Sequence, residues 1–132
     1  MPRYTPDHIH LRSRDPEAAV RYYHEKFGAE VVETTQTDGR PRIDVAIDGL
    51  TICIARAVPD QDLSHPPDRR TIGLDHFGLQ VEDLDEAAAD LRQRGAEFIS
   101  EPRLLRPGLK IAFVRGPDDV RIEILERKNN AT

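Results

Sequence analysis

The chain of 132 residues is long enough for one compact domain with a modest core and too short for two ordinary ones. Hydrophobic residues at 38% and charged residues at 33% fit a soluble globular protein, and a net charge of −5 with no Lys/Arg cluster argues against a nucleic-acid partner. The opening MPRYTPDHIH lacks the apolar run of a signal peptide, no segment has the length of a membrane span, and the lone Cys53 excludes an intrachain disulfide, so a cytoplasmic protein is expected.

In chain order, the first predicted element is a strand with His8, His10 and Arg12 on one face and Ile9 and Leu11 on the other. Asp15-Pro16 then starts a helix, Asp as N-cap and Pro at the first helical position. Ala19, Tyr23 and Phe27 form its apolar stripe, and Gly28 is its stop. His24 is expected on the exposed side. AEVVETTQT (29–37) reads as a strand, Gly39-Arg40-Pro41 as a corner, and residues 42–47 and 50–55 as strands joined by an Asp48-Gly49 hairpin turn. AVPDQDLSHPPDRRT, with three prolines and no period, reads as a linker or a loop over a site; it holds His65, to which no role can be assigned.

The pattern then restarts. His76, Gly78 and Gln80 alternate with Phe77, Leu79 and Val81; Asp83 opens a helix with Leu84, Ala87, Ala88 and Leu91 on its apolar stripe; Gly95 closes it. Strands at about 110–115 and 120–126 flank the turn Gly116-Pro117-Asp118-Asp119. His8 and His76 lie 68 residues apart, as do Asp15 and Asp83, while Gly28 and Gly95 lie 67 apart. Agreement across a strand, a helix start and a helix stop points to internal duplication. The expectation is an α+β fold of two βαβββ units in a single chain, with paired strands forming a cleft around a metal site. One domain would cover 1–132, with repeat 1 at about 5–57, a linker at 58–72 and repeat 2 at 73–128.

Superposed repeats make His8 equivalent to His76 and Cys53 equivalent to Glu123. His8, His76 and Glu123 are then expected to face one cavity, with Cys53 in the fourth symmetric place. Two imidazoles and a carboxylate suit one divalent metal (Ni, Zn, Mn or Fe) with positions open to substrate. Cys53 is open to three readings: a small apolar filler, a soft fourth ligand, or a reactive thiol lining the substrate pocket. His10 is a structural residue, a donor behind the ligands, or a pocket acid/base. Arg103, Arg106 and Lys110 lie between two strands of the second unit, as solvated loop charges or as contacts to an anionic substrate tail.

Over essentially its whole length the chain resembles the vicinal-oxygen-chelate superfamily, which includes glyoxalase I, bleomycin-resistance proteins and extradiol dioxygenases. The matching motifs are Asp7-His8-Ile9-His10-Leu11-Arg12 before Asp15, Tyr22-Tyr23 before Phe27-Gly28, and Asp75-His76-Phe77-Gly78-Leu79-Gln80-Val81 before Asp83. Ala112-Phe113-Val114 and Pro117-Asp118 leading into Ile122-Glu123-Ile124 complete them. The resemblance implies metal ligands at His8, His76 and Glu123, a homodimer, and Arg12 as a contact to a substrate carboxylate such as that of a glutathione adduct. Glyoxalase I enzymes carry a carboxylate ligand where this sequence has Cys53.

The leading function implied is a metal-dependent glyoxalase-type isomerase or lyase, acting on a small vicinal-oxygen substrate through a metal-stabilised enediolate. Glu123 is the first candidate for proton transfer and His10 the second. An Fe(II) extradiol-type dioxygenase, a thiol transferase and a non-catalytic drug-binding resistance protein are the alternatives.

Overall fold

The computed structural model describes residues 1, 3, 6–35, 39–56 and 74–128. The Pro-rich linker at 58–72, with His65, lies outside the described residues, as do Gln36 and Thr37. By its contacts the chain divides into two compact units, Met1–Asp62 and Leu63–Thr132. Each is a βαβββ unit carrying one four-stranded mixed sheet.

The first unit runs β1 (His8–Ser13), α1 (Pro16–Phe27), β2 (Glu30–Thr35), β3 (Pro41–Ile47) and β4 (Leu50–Arg56). Its sheet order is β1-β4-β3-β2, with β1 parallel to β4 and the remaining pairs antiparallel. The start and stop of α1 follow from local chemistry. The Asp15 side chain accepts from Ala18 N at 3.1 Å, Pro16 sits where no N–H is needed, and Gly28 takes a left-handed conformation (φ 68°) that a side chain would disfavour. Ala19, Val20 and Tyr23 pack that helix onto Val45, Ile52 and Ile54, which point to the opposite sheet face from the histidines.

The second unit repeats the plan as β5 (Phe77–Gln80), α2 (Leu84–Gln93), β6 (Glu97–Arg106), β7 (Leu109–Arg115) and β8 (Arg121–Arg127), in the order β5-β8-β7-β6. Asp83 caps α2 by accepting from Glu86 N at 3.1 Å. Leu84, Ala88 and Leu91 are buried, as are Ala112, Val114, Ile122 and Ile124 from the sheet. Burying an Ile of this kind contributes about 1.5–3 kcal/mol relative to exposure, which is why the alternating pattern fixes the face of each strand.

One expectation needs correction. Arg103, Arg106 and Lys110 are not loop residues: the first two belong to β6 and the third to β7, joined by a tight turn at Pro107-Gly108. Pro102 lies within β6. On an edge strand its missing N–H costs no ladder bond, and register shifts between Phe98, Ser100 and Arg103 absorb the irregular stretch. Lys110 pairs with Asp85 at 2.8 Å.

The strand registers agree with the duplication. His10 lies opposite Cys53 and Gly78 opposite Glu123; Cys53 lies opposite Asp44 and Glu123 opposite Phe113. Cys53 and Glu123 are thus equivalent positions in two copies of one ladder.

Candidate metal and substrate site

In the second unit, His76 immediately precedes β5 and Glu123 lies on β8, on the sheet face away from α2. His76 Nε2 is 3.4 Å from Glu123 Oε1, and both side chains are partly buried. His76 Nδ1 is 2.8 Å from Asp75 Oδ2. A carboxylate only accepts, so Nδ1 carries a proton toward Asp75, and Nε2 is the ring nitrogen that faces Glu123. Two electron-rich atoms held this way require a proton or a cation between them. Their separation is also that of neighbouring ligands on one metal, since atoms each about 2.1 Å from a zinc-like ion lie about 3.0–3.4 Å apart.

Gly78, the partner of Glu123 across the ladder, makes room for this carboxylate. A Cβ there would stand 3.3 Å from Glu123 Oε1 and 3.1 Å from Leu125 Cδ2. Phe113 meets the His76 ring edge-on at 5.1 Å between centroids, and the Arg121 guanidinium lies over the Phe113 ring at 4.8 Å. These neighbours hold the imidazole in one orientation.

In the first unit, His8 starts β1, and its Nδ1 is 2.7 Å from Asp7 Oδ2. Both predicted ligand histidines therefore have the same carboxylate partner, the residue immediately before each. That role was present in the sequence as a repeated Asp-His pair and had not been assigned. His10 and Arg12 share the His8 face, exposed, and no described hydrogen bond fixes either. His24 is exposed as expected, with its Nδ1 2.9 Å from Ala29 O.

Cys53 is buried, and its sulfur accepts from Arg42 Nη2 at 2.6 Å. Arg42 Nε meets both oxygens of buried Asp44, at 3.1 and 3.0 Å. Hydrogen bonding to Asp44 and the charge of that carboxylate, with a smaller contribution from Cys53, raise the Arg42 pKa above its ordinary value. Sequence reasoning missed Arg42 and Asp44; their signal was spacing two apart on the strand that pairs with Cys53.

A cavity of about 500 Å³ opens beside this cluster, bordered by His10, Arg42, Cys53 and Arg56. Among the described residues of either unit, no three His, Cys, Asp or Glu side chains gather as a metal centre. The predicted set is divided, with His8 in the first unit and His76 and Glu123 in the second.

A model of the Glyoxalase/Bleomycin resistance protein/Dioxygenase superfamily matches residues 5–124. The chain belongs to this superfamily. Within the superfamily, it is 26% identical over 125 residues to a lactoylglutathione lyase of Escherichia coli O157:H7, an alignment covering 92% of each chain. The crystal structure of a glyoxalase family protein from Enterococcus faecalis is similar at a TM-score of 0.75 and 26% identity, covering 92% of this chain and 97% of that one. An antibiotic-binding protein from Streptomyces sp. CB03234 shares the fold at a TM-score of 0.72 and 20% identity, covering 97% of this chain and 99% of the other. The fold therefore carries both a lyase relative and a binding protein, and the site must distinguish them. No helix among the described residues is long and apolar enough to cross a membrane.

Proposed function

We propose that this superfamily member is a metal-dependent enzyme of glyoxalase type, a lyase or isomerase acting on a small substrate with adjacent oxygen atoms. The two units act as one domain, paired within the chain or between two chains of a homodimer, and His8, His76 and Glu123 hold one Ni, Zn, Mn or Fe ion. The observation that carries this reading is the His76–Glu123 pair, with Asp75 leaving Nε2 free for a cation. The same Asp-His arrangement at His8 supports its membership in the set.

A bound divalent ion would supply Lewis-acid stabilisation of negative charge on the substrate oxygens. The chain's own groups do the rest. Asp7 and Asp75 fix the tautomer and direction of the two imidazoles. Glu123 is the first candidate to take a proton from the carbon beside a substrate carbonyl and return it to the neighbouring carbon. His10 is the second candidate. Arg12, exposed on the His8 face, would pair with a substrate carboxylate, including that of a glutathione adduct.

A second reading, an Fe(II) ring-cleaving dioxygenase, is favoured by one observation: the place equivalent to Glu123 holds no carboxylate in the first unit, and three protein ligands suit that chemistry.

Cobalt(II) titration of chelator-stripped protein tests the site. One tight cobalt per chain, lost in His76→Ala and in Glu123→Gln, is expected; absence of cobalt binding would sink the metal reading and leave a ligand-binding protein. Turnover of the methylglyoxal–glutathione adduct against oxygen uptake with catechols then separates the two enzyme readings.

A further inference from the structure

We infer that Arg121 sets the substrate class of the His76–Glu123 site: it takes a carboxylate carried by the same small molecule whose adjacent oxygens meet the metal. This role rests on the metal reading and deepens it.

Alternation on β8 puts Arg121 and Glu123 on one face, with Ile122 turned to the core between them. Pairing of β5 with β8 begins at Phe77↔Ile122, so Arg121 stands one step earlier, level with His76. The same row of the first unit is His8↔Thr51, where the facing side chain is uncharged. The guanidinium therefore belongs to the second unit alone, in the row of its histidine.

The group is held in place but has no anionic partner. Its central carbon lies over the Phe113 ring at 4.8 Å, and that ring meets the His76 imidazole at 5.1 Å. Arg121 Nε is buried without a hydrogen-bond acceptor, and among the described residues no carboxylate pairs with the guanidinium. The nearby acids are engaged elsewhere. Glu97 and Asp119 both meet Arg115, which faces Arg121 across the β7–β8 ladder, and Glu123 faces His76.

A packing role alone does not account for this. Like charges directly opposite each other are unfavourable on a sheet face, and a buried donor without an acceptor costs at least as much as an aromatic contact returns. A methionine would cover Phe113 without either cost. A carboxylate supplies what is missing, since its two oxygens match the planar fork. Stacking on Phe113 fixes the plane of that fork before a ligand arrives. The two ring spacings also bound the gap between imidazole and guanidinium, so a molecule that meets both is small. His76 and Glu123 keep 33% and 20% of their side-chain surface exposed, which leaves the pair open to such a ligand.

The probes are 3,4-dihydroxybenzoate and its uncharged amide, 3,4-dihydroxybenzamide, which offer a metal the same adjacent oxygens. Each is titrated calorimetrically into the cobalt-loaded full-length chain. The acid should bind about tenfold tighter or more, and Arg121→Gln should abolish that preference. Equal affinity of the unaltered chain for the two, including no binding of either, overturns the assignment, and this comparison decides even where Arg121→Gln fails to fold. A preference that survives in Arg121→Gln overturns it as well, and so does an equal loss of both ligands, which is the mark of a merely structural residue. Failure to bind cobalt overturns the metal reading and the role of Arg121 with it, whereas tight cobalt without the preference overturns the role of Arg121 alone.

Discussion

Across β5, β8 and β7 one row of the second sheet reads Gly78, Glu123, Phe113; across β1, β4 and β3 the same row of the first reads His10, Cys53, Asp44. Both rows lie on one topology with the same register, and both units place an Asp-supported histidine one step earlier. In the second unit a carboxylate faces an imidazole, an arrangement that attracts a cation. In the first the thiol faces a guanidinium, an arrangement that does not hold a cation. Duplication preserved the scaffold while the two central positions diverged in charge. The comparison teaches that equivalent backbone positions need not do equivalent chemistry.

The largest expected effect tests whether the units share a scaffold. Ile52 and Ile122 are equivalent and fully buried. Ile52→Ala and Ile122→Ala should each lower stability by about 3 kcal/mol in denaturant melts. A cost several-fold smaller in one unit would break the symmetry of the cores.

Next comes the chemistry of the rows. Gly78→Ala would press a Cβ against Glu123 Oε1 and Leu125, so cobalt affinity should fall by about tenfold while far-ultraviolet circular dichroism is unchanged. Asp75→Asn and Asp7→Asn should each cost about 10- to 100-fold in cobalt affinity, because an amide orients the ring less firmly than a carboxylate. A loss at Asp75 without one at Asp7 would show that the metal belongs to the second unit alone.

A smaller contrast lies where each last strand meets its helix. Glu126, buried, accepts from the backbone N–H of buried Leu84 at 2.9 Å. Its equivalent Arg56 reaches Arg14 O at 3.2 Å and Glu17 from an exposed position. Glu126→Leu should cost about 2 kcal/mol by thermal melting, as it strands a buried donor, and Arg56→Met less than about 1 kcal/mol.

The smallest effect is expected at Lys110. Its hydrogen bond to Asp85 raises its pKa above the ordinary lysine value, opposed by a smaller desolvation. A raised pKa on a base stabilises the fold below the ordinary lysine range and ceases to do so as pH climbs through the raised value. Lys110→Met should therefore leave the pH dependence of melting unchanged across the neutral range and flatten only its alkaline limb.

The amino-acid sequence by itself determined the repeat, both helices with their Asp caps, the faces of the strands and the equivalence of Cys53 with Glu123. These rest on local signals: period-two alternation, capping chemistry and recurrence at one offset, none of which needs distant contacts. It also put His76 and Glu123, together with His8, in one candidate set, because the face of each strand follows from alternation once one face is apolar. The place of Arg103 and Arg106 on β6 was not legible, since a strand that holds a proline is tolerated at a sheet edge and the sequence does not mark which strand is the edge. Only the tertiary structure decided what Cys53 touches, that β3 and β4 part beyond Asp44, and that Arg121 stacks on Phe113 beside His76. Those facts depend on how far long side chains reach across neighbouring strands and on where a ladder ends, and neither quantity is carried by any short stretch of sequence.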